Sequence, residues 1–246
     1  MAFERLRQAG FNIGVYSYSD VLFDGVFPDA MAEIENVLLD LRIGVSELVA
    51  GGGGEGSMTQ RLRRALSEGG WPKRKFSIAI TVDGEQPRPA KTHEIDHVRE
   101  HERGRIALEI EWNNKDPFYD RDLENFSRLH ANSVIAVGAI ITRGASLQAS
   151  AKRLIQSYAE RHGIGSIDDL PRHNIPQTAR QRTNLEQALQ RSGRPFAETW
   201  AHLFVQDKFG EATTHWNKLM TRPERGVGNP CPWIAIGIPA SSVEED

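Results

Sequence analysis

The chain has 246 residues, 39% apolar and 26% charged, with a formal net charge of −3 and one cysteine. That length supports a sizeable buried core, the charge excludes a strong global field for nucleic acid, and the lone Cys231 excludes an intramolecular disulfide and a multi-cysteine zinc site. The N-terminal stretch MAFERLRQAGFNIG has no apolar signal core and the longest apolar run, VIAVGAII, is too short to span a bilayer, so a cytoplasmic protein without a membrane partner is expected.

In chain order, Asp29 to Arg42 places Ile34, Val37, Leu38 and Leu41 at helical spacing, with Asp29 as the expected cap. The run GGGGEGS, Gly51 to Ser57, lacks the Gly-Lys-Ser/Thr ending of a phosphate loop and reads as a flexible connection. MTQRLRRALSEGG then reads as a short helix ending at Gly69. From Arg61 to Lys75 six basic residues stand against one acid, and from Arg172 to Arg225 nine against five, a pattern compatible with a basic groove or with ordinary solvated surface.

FSIAITVDG is an expected strand with a turn at Asp83-Gly84. RIALEIEW is another, placing Ile106, Leu108, Ile110 and Trp112 on one face and Ala107, Glu109, Glu111 and Asn113 on the other. Pro117 ends it, and DRDLENFSRLHA follows as a helix on Leu123, Phe126 and Leu129. SVIAVGAIIT reads as a strand buried on both faces. SAKRLIQSYAERHG reads as a helix, 162–182 as a polar loop, 183–220 as two or three helices, and Trp233 to Ile238 as a last strand.

The segment THEIDHVREHERGRIALEIEWNNKD admits two chemistries. A helix through it would stack His93, His97 and His101 on one face, as a catalytic zinc shell requires, but it must end by Gly104. Two paired strands, joined by the loop HVREHERGR, would instead bring Asp96 in front of Glu109 and Glu111. The strand chemistry is favoured, with the histidines in a polar surface loop. Three clustered carboxylates repel one another, and a hard cation relieves that repulsion. Mg²⁺ suits such a site because it takes few carboxylates and completes its shell with water and phosphate.

The residues EID, Glu94 to Asp96, followed by IALEIEWNN, Ile106 to Asn114, resemble the PD-(D/E)xK nuclease motif. Within that superfamily they are similar to the type II restriction endonucleases of the BamHI/BglII-like group, where Glu or Gln replaces the usual lysine; here that position is Glu111. The motif's proline is absent, and Ile95 precedes Asp96. The resemblance covers the middle third of the chain. It implies an α/β fold, a restriction-endonuclease-like core with a central mixed β-sheet flanked by helices. One endonuclease domain over 1–246 is expected, with 58–142 as catalytic core and 143–246 as its helical and C-terminal strand elaboration.

The resemblance further implies that Asp96, Glu109, the main-chain carbonyl of Ile110 and Glu111 bind Mg²⁺ and carry catalysis. Mn²⁺ would substitute, and Ca²⁺ would support binding without cleavage. Glu55 is the candidate extra acid from an early helix. DNA-binding candidates are Asn113, Asn114 and Lys115 after the motif, Arg143, Ser146 and Gln148 in the loop TRGASLQ, and Lys152 and Arg153 beyond it. An Asn at that spacing can pair bidentately with adenine. The implied partner is double-stranded DNA with a short palindromic site, read by a homodimer. The expected activity is site-specific hydrolysis giving 5′-phosphates. A repair or nicking nuclease of the same core, or a non-cleaving DNA-binding protein, are the alternatives.

Overall fold

The computed structural model describes residues 1–50, 55–80 and 88–246. The expected Asp83-Gly84 turn and most of the glycine run lie outside the described residues. Short elements open the chain: α1 (Glu4–Gln8), β1 (Asn12–Tyr16), α2 (Ser19–Gly25), α3 (Pro28–Leu39), β2 (Ile43–Gly44), α4 (Val45–Val49) and α5 (Ser57–Glu68). The central part holds β3 (Arg74–Ile80), β4 (Arg88–Ile95), β5 (His97–His101), β6 (Gly104–Glu111), α6 (Phe118–Ala131) and β7 (Val137–Arg143). Then come α7 (Ala145–Arg161), α8 (Ala179–Ser192), α9 (Phe196–Lys208), α10 (Trp216–Met220), β8 (Trp233–Ile238) and β9 (Val243–Glu244).

The helix expected at Asp29 is α3, but its N-cap is Phe27 with Pro28 at its first turn; Asp29 lies inside the helix and caps nothing. Proline is preorganised for that position because its missing N–H is not needed there. The helix ending at Gly69 and the buried strand at 137–143 are as expected.

Five strands form a mixed sheet in the order β1-β8-β7-β6-β5. The middle pairs β8-β7 and β7-β6 are parallel, and both edge pairs are antiparallel. Parallel neighbours need a crossover, and α6 supplies it between β6 and β7. The two faces separate cleanly. Ile106, Leu108, Ile110, Ile141 and Ile236 join the core with α3, α5 and α7, while Ala107, Ile140, Trp233 and Ala235 join a second core under α6. The alternation of β6 therefore aims Glu109 and Glu111 at the α6 side.

Close packing of α6 on β7 depends on Gly138. A Cβ there would sit 2.4 Å from Phe126 Cδ2 and 2.6 Å from Cε2, and Phe126 is fully buried. Gly138→Ala is expected to destabilise the fold by roughly 2–3 kcal/mol through overpacking, read as a lower denaturant midpoint.

Candidate active site

The hairpin that builds the site is tighter than HVREHERGR suggests. His97 to His101 is strand β5 itself, paired with β6 in the register His97↔Leu108 through His101↔Gly104. The reversal thus falls at Glu102 and Arg103. Carrying the register back one step sets Asp96 opposite Glu109, and the Asp96 N–H donates to Glu109 Oε2 at 3.1 Å. Asp96 is the break between β4 and β5, and β4 pairs with β3 in a separate two-stranded ribbon.

This arrangement removes the histidine ladder. No helix runs through the segment, and His93 lies on a different strand from His97 and His101. His93 and His97 are also buried rather than on a polar surface loop. His97 Nδ1 bonds the Trp71 carbonyl at 2.8 Å, and His93 Nδ1 meets Asn125 Oδ1 at 2.6 Å.

Glu109 and Glu111 are 3% and 2% exposed, and a third carboxylate joins them. Asp122 on α6 is fully buried and faces the same space. Arg121 Nε donates to Asp122 Oδ1 at 2.7 Å, and Arg121 Nη2 reaches Glu111 Oε1 at 3.4 Å. Asp122 Oδ2 is buried and meets no donor group among the described residues, although its carboxyl lies against that of Glu111. Burial pushes the Glu109 carboxyl well above the usual range, helped by the charges of Asp122, Asp96 and Glu111. Burial likewise raises Glu111, to about 9, with Asp122's charge and its hydrogen-bond contact adding to the effect. Asp122 is also raised, chiefly by burial. In the absence of a cation, protons keep this group of acids partly neutral.

The donor set fits a hard divalent cation. Its oxygens belong to buried carboxylates that share protons when no cation is present, and Asp122 Oδ2 meets no donor among the described residues. Among the described residues no three His, Cys, Asp or Glu side chains are already gathered to enclose an ion. Mg²⁺ is commonly held by one or two carboxylates with water and phosphate completing the shell. A cavity of about 550 Å³ opens onto the group, lined by Asp96, Glu109, Glu111, Asn114, Arg121 and Arg63 among others.

Asn114 is exposed, but its Nδ2 donates to Glu111 Oε2 at 2.8 Å. Its backbone bonds Thr214 on both sides: Asn114 N–H to Thr214 Oγ1 at 3.0 Å and Thr214 N–H to the Asn114 carbonyl at 2.8 Å. The Asn114 amide thus grips Glu111 while the residue itself stays exposed. Asn113 is held by Arg143, whose Nη1 donates to Asn113 Oδ1 at 2.8 Å and Nη2 to Thr213 Oγ1 at 2.8 Å. Arg143 is 2% exposed and stacks on Phe209. Burial lowers its pKa to about 10, which leaves it charged at neutral pH. The expectation that Arg143 contacts DNA is corrected, since its guanidinium is committed inside.

The segment TRGASLQ is not a loop: Arg143 ends β7, Gly144 caps α7, and Ala145 onward is helix. Ser146 is exposed and its Oγ accepts from the Ala240 N–H at 3.1 Å. Gln148 is half-buried, donating to the Phe209 carbonyl at 2.7 Å. Lys152 lies 3.7 Å from Glu198; Arg153 and Lys115 are exposed. Glu55 does not reach the buried acids. It lies 2.7 Å from Arg63 Nε, and Arg63 Nη2 lies 2.6 Å from Asp96 Oδ2.

Four residues of this site escape the sequence: Asp122, Arg121, Arg63 and Asn125. For Asp122 a signal existed. It stands three residues from Tyr119 and four before Phe126, on the apolar stripe of α6, where an acid needs a reason to be buried.

A family profile described as restriction endonuclease BglII/BglIII matches residues 11–238. This chain belongs to that family. The BglII/BglIII match spans most of the chain, well beyond the middle third that carries the motif, and takes in β1 and β8. No curated protein matches the chain. Membership makes the protein a type II restriction endonuclease, a site-specific deoxyribonuclease acting on double-stranded DNA, and sets aside the non-cleaving DNA-binding alternative. BglII-type enzymes generally use a divalent metal. Among the described residues no helix is long and apolar enough to cross a membrane.

Proposed function

We propose that this endonuclease is Mg²⁺-dependent, that Asp96, Glu109 and the carbonyl of Ile110 hold the cation with Glu111 beside it, and that hydrolysis leaves 5′-phosphates. The observation that carries this reading is the Asp96 N–H on Glu109 Oε2, which sets the residue at the β4–β5 break against β6, where Asp96, Glu109 and Glu111 line one cavity. A bound Mg²⁺ would polarise the phosphoryl group and acidify an attacking water. The chain's own residues do the rest. Asn114 and Arg121 both donate to the Glu111 carboxylate, which lines the cavity. Glu111, which gives up its proton as the cation binds, would orient the attacking water or accept its proton. Asp122 keeps a second acid within reach of that proton.

The DNA face in this reading comprises the exposed Asn114, Lys115, Ser146 and Arg153, with Lys152 beside them. Asn113 and Gln148 stand at its edge, and Arg143 positions the motif loop from beneath. The chain acts as one endonuclease domain, because β1 and β8 from outside 58–142 complete the sheet. A palindromic site read by a homodimer follows from two-fold symmetry. Mn²⁺ substitutes, and Ca²⁺ supports binding alone.

Digestion of a sequenced plasmid with Mg²⁺, followed by sequencing of the ends, tests this. Discrete fragments with symmetric cuts and 5′-phosphates are expected. Nicks on one strand only, or breaks at branched structures rather than a fixed sequence, would overturn it.

A further inference from the structure

We propose that Arg63 is an internal counter-cation for Asp96, which yields that carboxylate to the metal and then engages a DNA phosphate. This rests on Asp96 being a metal ligand. Arg63 projects from α5, whose other face is fixed by the buried Met58, Leu62 and Leu66. Its guanidinium sits between two acids, 2.6 Å from Asp96 Oδ2 and 2.7 Å from Glu55 Oε1. Its side chain is 34% exposed, and Asp96 is 18% exposed. Arg63 also lines two openings: the cavity over Glu109 and Glu111, and a second one bordered by Glu55, Asn113 and Asn114. It stands on the wall between the acids and the motif loop.

The guanidinium and a metal compete for the same Asp96 oxygens. An arginine cannot leave by losing its proton, so it must exchange one anion for another. Glu55 is one anion already in contact. The other is the backbone of DNA, which has to enter this cavity for its phosphate to meet Glu109 and Glu111. A guanidinium matches a phosphate bidentately, with charge-assisted bonds. Metal entry at Asp96 and phosphate capture by Arg63 are then linked, and linkage is reciprocal: each tightens the other. The short ion pair also shields Asp96 while no DNA is present, and so holds down metal binding by the free protein.

The test uses the full chain and Ca²⁺ as a cation that does not support cleavage. Calorimetry would measure Ca²⁺ affinity for the wild type, Arg63→Gln, Arg63→Lys and Asp96→Asn. Fluorescence anisotropy would measure binding to a random-sequence duplex across a salt series, because a phosphate contact is independent of sequence. Without DNA, Arg63→Gln should bind Ca²⁺ about tenfold more tightly, the scale of one lost charge-assisted bond. Its salt slope for duplex binding should fall by about one. The gain in Ca²⁺ affinity that the wild type shows on adding duplex should vanish. Arg63→Lys should lie between, which separates loss of charge from loss of fold, and thermal melts confirm that each variant is folded. Unchanged or weaker Ca²⁺ binding by Arg63→Gln, or an unchanged salt slope, would overturn the proposal, provided Asp96→Asn itself loses Ca²⁺ affinity. If Asp96→Asn binds Ca²⁺ as the wild type does, the assignment of Asp96 as ligand fails instead, and the role of Arg63 falls with it.

Discussion

Glu109→Gln should lower the cleavage rate by about a thousandfold or more, while duplex binding in Ca²⁺ stays within a few-fold of wild type. The change is close to isosteric, and the amide oxygen can still accept the Asp96 N–H that Glu109 Oε2 accepts at 3.1 Å. Geometry is therefore retained, and the loss comes from one removed negative charge at a site where a cation stabilises the transition state. Such stabilisation is worth several kcal/mol, and each 1.36 kcal/mol is about a decade in rate. Stability should move the other way from the usual core substitution. Glu109 is buried among Asp122, Asp96 and Glu111, all of which disfavour its ionised form. The fold already favours the neutral acid there, and a neutral amide matches it, so the cation-free variant should melt no lower than the wild type. Initial rates on supercoiled plasmid, a mobility-shift titration in Ca²⁺ and a thermal melt check all three. A rate within about tenfold of wild type, at about 1.36 kcal/mol per decade, would remove Glu109 from the catalytic set.

Strand β6 was legible because its two faces meet different partners. Ile106, Leu108 and Ile110 pack into one core while Glu109 and Glu111 alternate onto the other side, and a period of two survives any tertiary context. The helix between β6 and β7 and the wholly buried β7 were legible for similar reasons: a three-residue stripe and an unbroken apolar run. β5 was hidden because HVREH is charged. It lies at the sheet edge, where charged side chains guard an open row of backbone groups against further pairing. The same charges make it resemble a loop. β1 was hidden differently. NIGVY is short and half-buried throughout, and its partner β8 lies more than 200 residues away, so no local pattern announces it. Arg143 looked available because Gly144 suggests a turn, yet that glycine caps α7 and the arginine is drawn inward onto Asn113 and Thr213. The contact of Arg63 with Asp96 joins residues 33 apart. Only packing of α5 against the hairpin creates it.

The cation-free enzyme should lose stability as pH rises from about 5 to about 9, and a divalent cation should abolish that loss. The sign follows from proton counts. Glu111 has an ordinary value of 4.5 and is raised to about 9 in the fold; Glu109 and Asp122 are raised as well. Between those limits the native state binds more protons than the unfolded chain, so stability falls with rising pH. The Glu111 contribution is present in full below 4.5 and is lost as pH passes through its folded value near 9, and the raised Glu109 and Asp122 act in the same direction. Each fully titrating carboxylate would cost about 1.4 kcal/mol per pH unit in that window, or about 3 to 5 °C in melting temperature for a chain of this size. Ca²⁺ replaces the shared protons, so its affinity should rise with pH over the same interval and the melting temperature in saturating Ca²⁺ should stay level. Glu111→Gln removes one proton from the set and should flatten the cation-free slope. Melts from pH 5 to 9 with and without Ca²⁺ decide the matter. A cation-free protein that becomes more stable toward pH 9 would mean that the three acids are ionised in the fold, stabilised by Arg121 and Arg63 rather than by protons.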